Sequence, residues 1–217
     1  GVSLYGVAWR HHRLGGAFEQ HVAGFRERDR QSPQQMREYL DVELRKMLAH
    51  AFDQVAYYRS RWQAYGLQRA DIQELASDEL RRLPITPKDD LRLDPDAFVA
   101  ENIARTERIH RFKGSGSTGT PTTCCTTADG HRRFCAGKEV RSFGWAGTSI
   151  RLSRAMIGGR RIIPDGIGRP PYYRYNWAES QVYFSAYHIS PKTAANYVEG
   201  LNRYCPRVLT GYAHSYY

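Results

Sequence analysis

The run Gly114-Ser115-Gly116-Ser117-Thr118-Gly119-Thr120-Pro121 constrains this chain more than any other stretch, because small and hydroxylated residues here separate two segments that read as short strands. A glycine-rich loop lets backbone N–H groups and hydroxyls converge on an anion, since no Cβ blocks the approach and several positions tolerate unusual dihedrals. Phosphate is the obvious guest. Gly114 and Gly119 have the spacing of a Walker loop, but Thr120-Pro121 stands where Lys-Ser/Thr is required, so the neutralising ammonium is missing. Gly114, Gly116 and Gly119 also satisfy Gly-x-Gly-x-x-Gly. The dinucleotide form of that motif needs a helix starting inside it, whereas Pro121 and β-branched Thr122-Thr123 read as strand. The kinase form needs a following Val-Ala-Ile-Lys strand, and Thr122 to Thr127 has no lysine.

The remaining spelling, Ser115 to Pro121, resembles the phosphate loop of adenylate-forming enzymes, the acyl-CoA synthetases and related ligases. Leu83-Pro84-Ile85-Thr86-Pro87-Lys88-Asp89-Asp90-Leu91 is similar to an entry segment of phenylacetate:CoA ligase relatives. Gly158-Gly159-Arg160-Arg161-Ile162-Ile163, Arg174-Tyr175-Asn176, Tyr187-His188-Ile189-Ser190-Pro191 and Gly211-Tyr212-Ala213-His214-Ser215 look more like the CapK-type branch, associated with capsular polysaccharide assembly. The resemblance runs from about Tyr39 to Tyr217. Two positions depart from it: Gly114 replaces a hydroxyl residue of most members, and Thr122 a lysine of many. The magnesium carboxylate, the ribose aspartate and the C-terminal lysine of the family would lie beyond Tyr217. With no initial Met and a last stretch that reads as the first residues of a helix, the chain reads as part of a longer protein, inactive on its own.

The resemblance implies an ATP- and Mg²⁺-dependent ligase that activates a carboxylic acid and passes it to coenzyme A, working in the cytoplasm. Ser115, Gly116, Ser117, Thr118, Gly119 and Thr120 would bind the nucleotide phosphates. Tyr187, His188, Gly211 and Tyr212 would face the acid. The aromatic residues of Tyr172 to Trp177, with Tyr183, Phe184, Tyr187 and Tyr212, suggest a wall for an aryl acid such as phenylacetate; core or surface packing explains the same rings, and both readings stay open. His188 likewise reads as a pocket residue or as a locally bonded helix-entry residue. Arg160 and Arg161 read as ligand-facing groups or as ordinary surface arginines. The alternatives are a CapK-like role in capsular polysaccharide assembly and a non-catalytic nucleotide-binding fragment. The expected partners are a small-molecule carboxylic acid and a second copy of the chain.

Composition narrows the other classes. The chain has 217 residues, 41% hydrophobic and 25% charged, which suits a globular protein with one good core. No apolar run approaches the roughly 18 residues of a membrane span, and no signal segment opens the chain. The net charge of +10 invites a nucleic-acid reading. Its arginines, however, are scattered and interleaved with acids, as in Arg26-Glu27-Arg28-Asp29-Arg30, and no RNA-binding motif frames the 15 tyrosines. A dedicated nucleic-acid partner is not expected. Cys124, Cys125, Cys135 and Cys205 lack Cys-x-x-Cys spacing and read as reduced structural thiols. No Gly-x-Ser-x-Gly elbow or His-Glu-x-x-His metal motif occurs.

The expected fold is α/β: a helical segment over 1–107, then a mainly parallel sheet with crossover helices over 108–217, together part of the large N-terminal domain of an adenylate-forming enzyme. A basic, glycine-punctuated arm runs to about Arg30. Ser32 caps a helix with Pro33 at its first position, and Met36, Leu40, Leu44, Met47, Leu48, Ala51, Phe52 and Val55 form its core stripe. A second helix passes Trp62 and stops at Gly66, Thr86-Pro87 starts another, and Asp94-Pro95-Asp96 is a turn. Ile109 to Phe112 and Thr122 to Thr127 are hairpin arms. A helix from about Asp129 to Trp145 turns Phe134, Val140 and Phe143 inward. Strands are expected at Ile150 to Ile157, Gln181 to Ser185 and Arg207 to Thr210, with a helix started by Ser190-Pro191. Gly158-Gly159, His188 and Gly211-Tyr212 each follow a strand, where ligands of open α/β sheets sit.

Overall fold

The computed structural model describes residues 2–114, 120–164, 166 and 168–216. Helices α1 (Val2–Leu14), α2 (Phe18–Arg28), α3 (Pro33–Gln54), α4 (Ala56–Ala64), α5 (Arg69–Glu74), α6 (Lys88–Leu93) and α7 (Glu101–Thr106) precede a hairpin of β1 (His110–Lys113) and β2 (Thr123–Thr126). Helix α8 (Ala128–Lys138) follows and continues as a π-helical segment, Glu139–Gly144. Then come β3 (Arg154–Gly158), β4 (Tyr173–Asn176), β5 (Gln181–Ser185), α9 (Ala194–Tyr204) and β6 (Val208–Gly211). Contacts group these into two compact units, residues 26–131 and residues 1–25 with 132–217. The class is therefore mixed α/β, with helices first and a small, mostly parallel sheet after them.

In the unit of residues 26–131, α3 begins as its sequence demands. The Ser32 hydroxyl accepts from Gln35 N at 3.2 Å and the Gln35 side chain accepts from Ser32 N at 2.9 Å, a capping box ahead of Pro33. Only the C-terminal half of its apolar stripe is core: Leu48, Phe52 and Val55 are buried, and Leu48 and Phe52 pack with Trp62, Ile72 and Leu75. Leu40 and Met47 are about half exposed or more, at 51% and 60%. The expectation that the whole stripe is core is corrected here. Helices α4 and α5, which cover α3, are short and pack at its C-terminal half, leaving Leu40 exposed, while Met47 lies about 100° around the helix from Leu48, off the covered face. Asp94 forms the anticipated turn, its carboxylate accepting from Asp96 N and Ala97 N at 3.1 and 3.2 Å.

In the other unit, β3, β5 and β6 are parallel and β4 adds antiparallel to β5, giving the order β4-β5-β3-β6. Alternation along these strands makes two faces. One carries Ala155, Ile157, Tyr173, Val182 and Phe184 under Tyr197 of α9. Gly200 lets the helix sit close, since a Cβ there would lie 2.8 Å from ring atoms of both Phe184 and Tyr173. The other face carries Arg154 and Gln181. Arg154 reaches the Glu179 carboxylate at 3.3 Å and Gln181 Oε1 at 2.7 Å, and Arg13 of α1 pairs with the same carboxylate. These charges are almost wholly buried, so each needs the others.

Three further expectations are corrected. Residues 2–28, expected as a basic, glycine-punctuated arm, form two packed helices; α2 buries Phe18 and Val22 against Cys135, Ala136, Val140 and Phe143. Phe134 is 63% exposed rather than inward, because it lies about 100° around the helix from Cys135, and Lys138 covers its ring at 5.9 Å. Residues 150–153 form a turn and not the start of β3. Buried Glu139 takes the Ile150 N–H and the Ser149 hydroxyl, each at 2.8 Å, so Ile150 N has no ladder bond to give. Tyr172 to Trp177, whose rings the sequence left between a pocket wall and core packing, is largely a strand with Tyr172 and Tyr173 in the core.

Candidate functional site

The hairpin and the strand ends are the two places where the sequence puts chemistry. In the hairpin, Lys113 pairs with Thr123 and Gly114 N donates to Thr122 O at 2.8 Å, which makes residues 115–121 the connection. Pro121 and the β-branched Thr122 and Thr123 favour the extended second arm. Of the expected phosphate-binding residues, Ser115, Gly116, Ser117, Thr118 and Gly119 lie outside the described residues. Thr120 is described and exposed. Arg111 is held 2.5 Å from Asp96. The vicinal Cys124 and Cys125 are free thiols, and burial pushes the Cys125 thiol up, so it is a poor nucleophile at neutral pH.

In the sheet-bearing unit, parallel register aligns the carboxyl ends of three strands: Gly158 with Ser185, and Ile157 with Gly211. The residues immediately following therefore meet at one edge. Tyr187 donates its hydroxyl to Gly159 O at 2.9 Å, and Tyr212 N donates to Ile157 O at 3.0 Å. Tyr212 also lies over Gly159, where a Cβ would stand 2.7 Å from its hydroxyl. A larger residue there would make the exposed Tyr212 side chain shift. Tyr187 and Tyr212 are more than half exposed.

His188 is half-buried at the same edge. Its Nδ1 lies 2.7 Å from Ser185 Oγ, its ring stacks on Tyr172 at 5.2 Å, and its carbonyl accepts from Thr193 Oγ1 at 2.6 Å. A serine and a histidine at that distance have the separation of a nucleophile and its base. Ser185, however, has no exposed surface, so the contact fixes the imidazole rather than arming the hydroxyl. Among the described residues no cluster of three or more His, Cys, Asp or Glu has the arrangement of a metal site.

The structure thus brings Tyr187, His188, Gly211 and Tyr212 together. Of the aromatic residues left between a wall and packing, Tyr187 and Tyr212 are in this cluster, whereas Tyr173 and Phe184 are core under α9 and Tyr175 stacks on Tyr204 at 4.3 Å. Arg160 and Arg161 are exposed, with guanidiniums 5.3 Å from the Tyr183 ring and 5.8 Å from the Tyr187 ring. Sequence reading missed Ser185 as the residue that orients His188, and the Arg13, Glu179, Arg154 network. The first had a signal, a serine at the end of a predicted strand. The second had none, because its members are scattered along the chain.

Comparison with known proteins places similarity over part of the chain. It is 28% identical over 133 residues to protein CapK of Staphylococcus aureus, covering 61% of this chain and 29% of that protein. It is 39% identical over 126 residues to phenylacetate-coenzyme A ligase of Escherichia coli strain K12, covering 58% of this chain and 28% of that protein. A third relative, phenylacetate-coenzyme A ligase of Aromatoleum evansii, is 32% identical over 129 residues, 26% of its length. The matched region spans little more than a quarter of these relatives. No family model matches the chain. No helix among the described residues is long and apolar enough to cross a membrane.

Proposed function

We propose that the chain is part of the large N-terminal domain of an adenylate-forming ligase, with 1–107 as its helical segment and 108–217 as the sheet portion that carries the phosphate loop. The observation that carries this reading is the Ser115 to Thr120 spelling on the connection of a closed antiparallel hairpin, in a chain partly similar to phenylacetate-coenzyme A ligases. The reaction is attack of a carboxylate on the α-phosphate of ATP, giving an acyl-adenylate and pyrophosphate, after which the thiol of coenzyme A attacks the acyl carbon, forming the thioester and releasing AMP. Two anions must be brought together and a third released. Positioning and charge neutralisation therefore supply most of the catalysis.

The donor set suits that task. Ser115, Ser117, Thr118 and Thr120 are the residues whose hydroxyls and backbone N–H groups would hold the β- and γ-phosphates, a role that glycine neighbours without a Cβ suit by composition. Mg²⁺ supplies, when bound, the positive charge that a loop without lysine lacks. At the strand ends, Tyr212 is an exposed donor, Tyr187 is exposed with its hydroxyl given to Gly159 O, and His188 is held in a fixed orientation, an arrangement suited to the carboxylic acid. An aryl acid and a cytoplasmic setting complete this reading. Calorimetric titration of Mg²⁺·ATP into the intact protein tests it: binding is expected, and replacing Thr118 and Gly119 together by leucine should abolish it while the circular dichroism spectrum is unchanged. Unaltered ATP affinity in that variant refutes the assignment. The similarity to CapK favours a second reading, a role in capsular polysaccharide assembly, which is preferred if ATP binds but no acid in a broad panel supports pyrophosphate exchange.

A further inference from the structure

We propose that a cleft beside α1 in the sheet-bearing unit binds a small flat-ringed anion, at a site separate from the strand-end cluster. The cleft, about 210 Å³ in volume, is lined by Tyr5 and Trp9 of α1, Tyr183 of β5, Arg174 of β4, and Arg160 and Arg161 beyond β3, among others. Its aromatic part is already ordered. Tyr5 and Trp9 lie parallel within 7°, with centroids 6.4 Å apart, and Trp9 also stacks on His12 at 5.4 Å and carries Arg13 at 5.7 Å from its ring. Rings held in this way lose little freedom when a further ring packs against them. Tyr183 is held protonated, since burial first and the Glu179 carboxylate second push its phenol up, and it remains a neutral hydrogen-bond donor.

The charge of the lining selects the sign of the guest. Among the described residues, arginines line the cleft and no carboxylate does. The nearby carboxylate that sequence would offer, Glu179, is buried and occupied by Arg13 and Arg154. Guanidinium groups beside aromatic faces pair with carboxylate or phosphate in a forked geometry and stack on flat rings. Volume sets the size. A cavity of about 150 Å³ is known to hold benzene, whereas drug-sized ligands take roughly 300 Å³ or more, so about 210 Å³ suits one ring bearing one anionic group.

The cleft adjoins the strand-end cluster at Arg161, whose guanidinium lies 5.8 Å from the Tyr187 ring, and is set apart from it by its floor. Arg174 and Tyr183 are register partners within the sheet, on the face opposite Val182 and Phe184, and neither His188 nor Tyr212 lines the cleft. The site does not rest on the ligase reading, because the cleft needs no nucleotide.

The test is calorimetric titration of the chain, without ATP, with benzoate, phenyl phosphate, benzyl alcohol and inorganic phosphate. Benzoate, phenyl phosphate or both should bind, and which of them binds identifies the source of the anionic group. Benzyl alcohol and inorganic phosphate should bind at least tenfold more weakly. Arg160→Gln with Arg174→Gln, and separately the exposed Tyr5→Ala, should each weaken aryl-anion binding at least tenfold with circular dichroism unchanged. The proposal is overturned if neither aryl anion binds, if benzyl alcohol or inorganic phosphate binds equally well, or if these variants bind as the parent does. Loss of binding in Tyr212→Ala alone would move the aryl anion to the strand ends, overturning the cleft and leaving the ligase reading intact.

Discussion

Gly200→Ala sets two known effects against each other. Alanine in a helix interior is favoured over glycine by ~1 kcal/mol, so on propensity alone the substitution stabilises α9. Packing opposes this. The new Cβ would lie 2.8 Å from Phe184 Cε1 and Tyr173 Cε1 and 2.9 Å from Tyr173 Cδ1, against an ordinary carbon contact of about 3.5–4.0 Å. The rings cannot swing aside: Phe184 has no exposed surface, and it is braced by Tyr197 at 5.5 Å, while Tyr204 braces Tyr173 at 5.8 Å. Overpacking of a well-filled core costs roughly 1–3 kcal/mol, and rigid rings in three contacts place this site in the upper part of that range. The net expectation is destabilisation by about 1–2 kcal/mol. Urea unfolding followed by circular dichroism should show a lower midpoint with an unchanged slope. Val198→Ala is the control. Val198 is 55% exposed on the same helix, so that change should be neutral or stabilising by up to ~0.5 kcal/mol. If Gly200→Ala matches or exceeds the parent protein, the close approach of α9 to the sheet is wrong.

Two further outcomes follow from buried polar groups. Glu179→Gln leaves Arg13 and Arg154 without their shared counter-charge in the sheet-bearing unit, and should destabilise it by about 3–5 kcal/mol in the same urea assay; a loss below ~1 kcal/mol would show that the network is solvated. The Tyr197 hydroxyl donates to Ser185 O at 2.6 Å, and burial pushes its phenol up to about 12 from an unfolded value near 10. Between these values the folded state binds the proton more tightly than the unfolded one, so this contribution is complete below pH 10 and falls as pH rises toward 12. Tyr197→Phe should be less stable than the parent by about 1 kcal/mol at pH 8, and the gap should close as pH approaches 12. A gap that stays constant with pH would place the phenol in water.

Sequence alone was enough wherever the deciding interaction spans a few residues. The Ser32 capping box, the Asp94 turn, the stop of α4 before Gly66 and the two arms around Gly114 to Pro121 were all legible, because caps, turns and β-branched arms work through neighbours in the chain. So was the gathering of Gly159, Tyr187, His188 and Tyr212 at one edge, once parallel strands were expected, since parallel pairing aligns their carboxyl ends. Burial was decided only by tertiary contact. Leu40 and Leu48 share one helical stripe, yet Leu48 is buried and Leu40 half exposed; Tyr187 and Phe184 sit in one aromatic segment, yet alternation and α9 put Phe184 in the core while Tyr187, past the end of β5, is exposed. The place of α1 was beyond local reading altogether, because Arg13 and Glu179, its buried ion pair, stand 166 residues apart and no periodicity links partners at that distance.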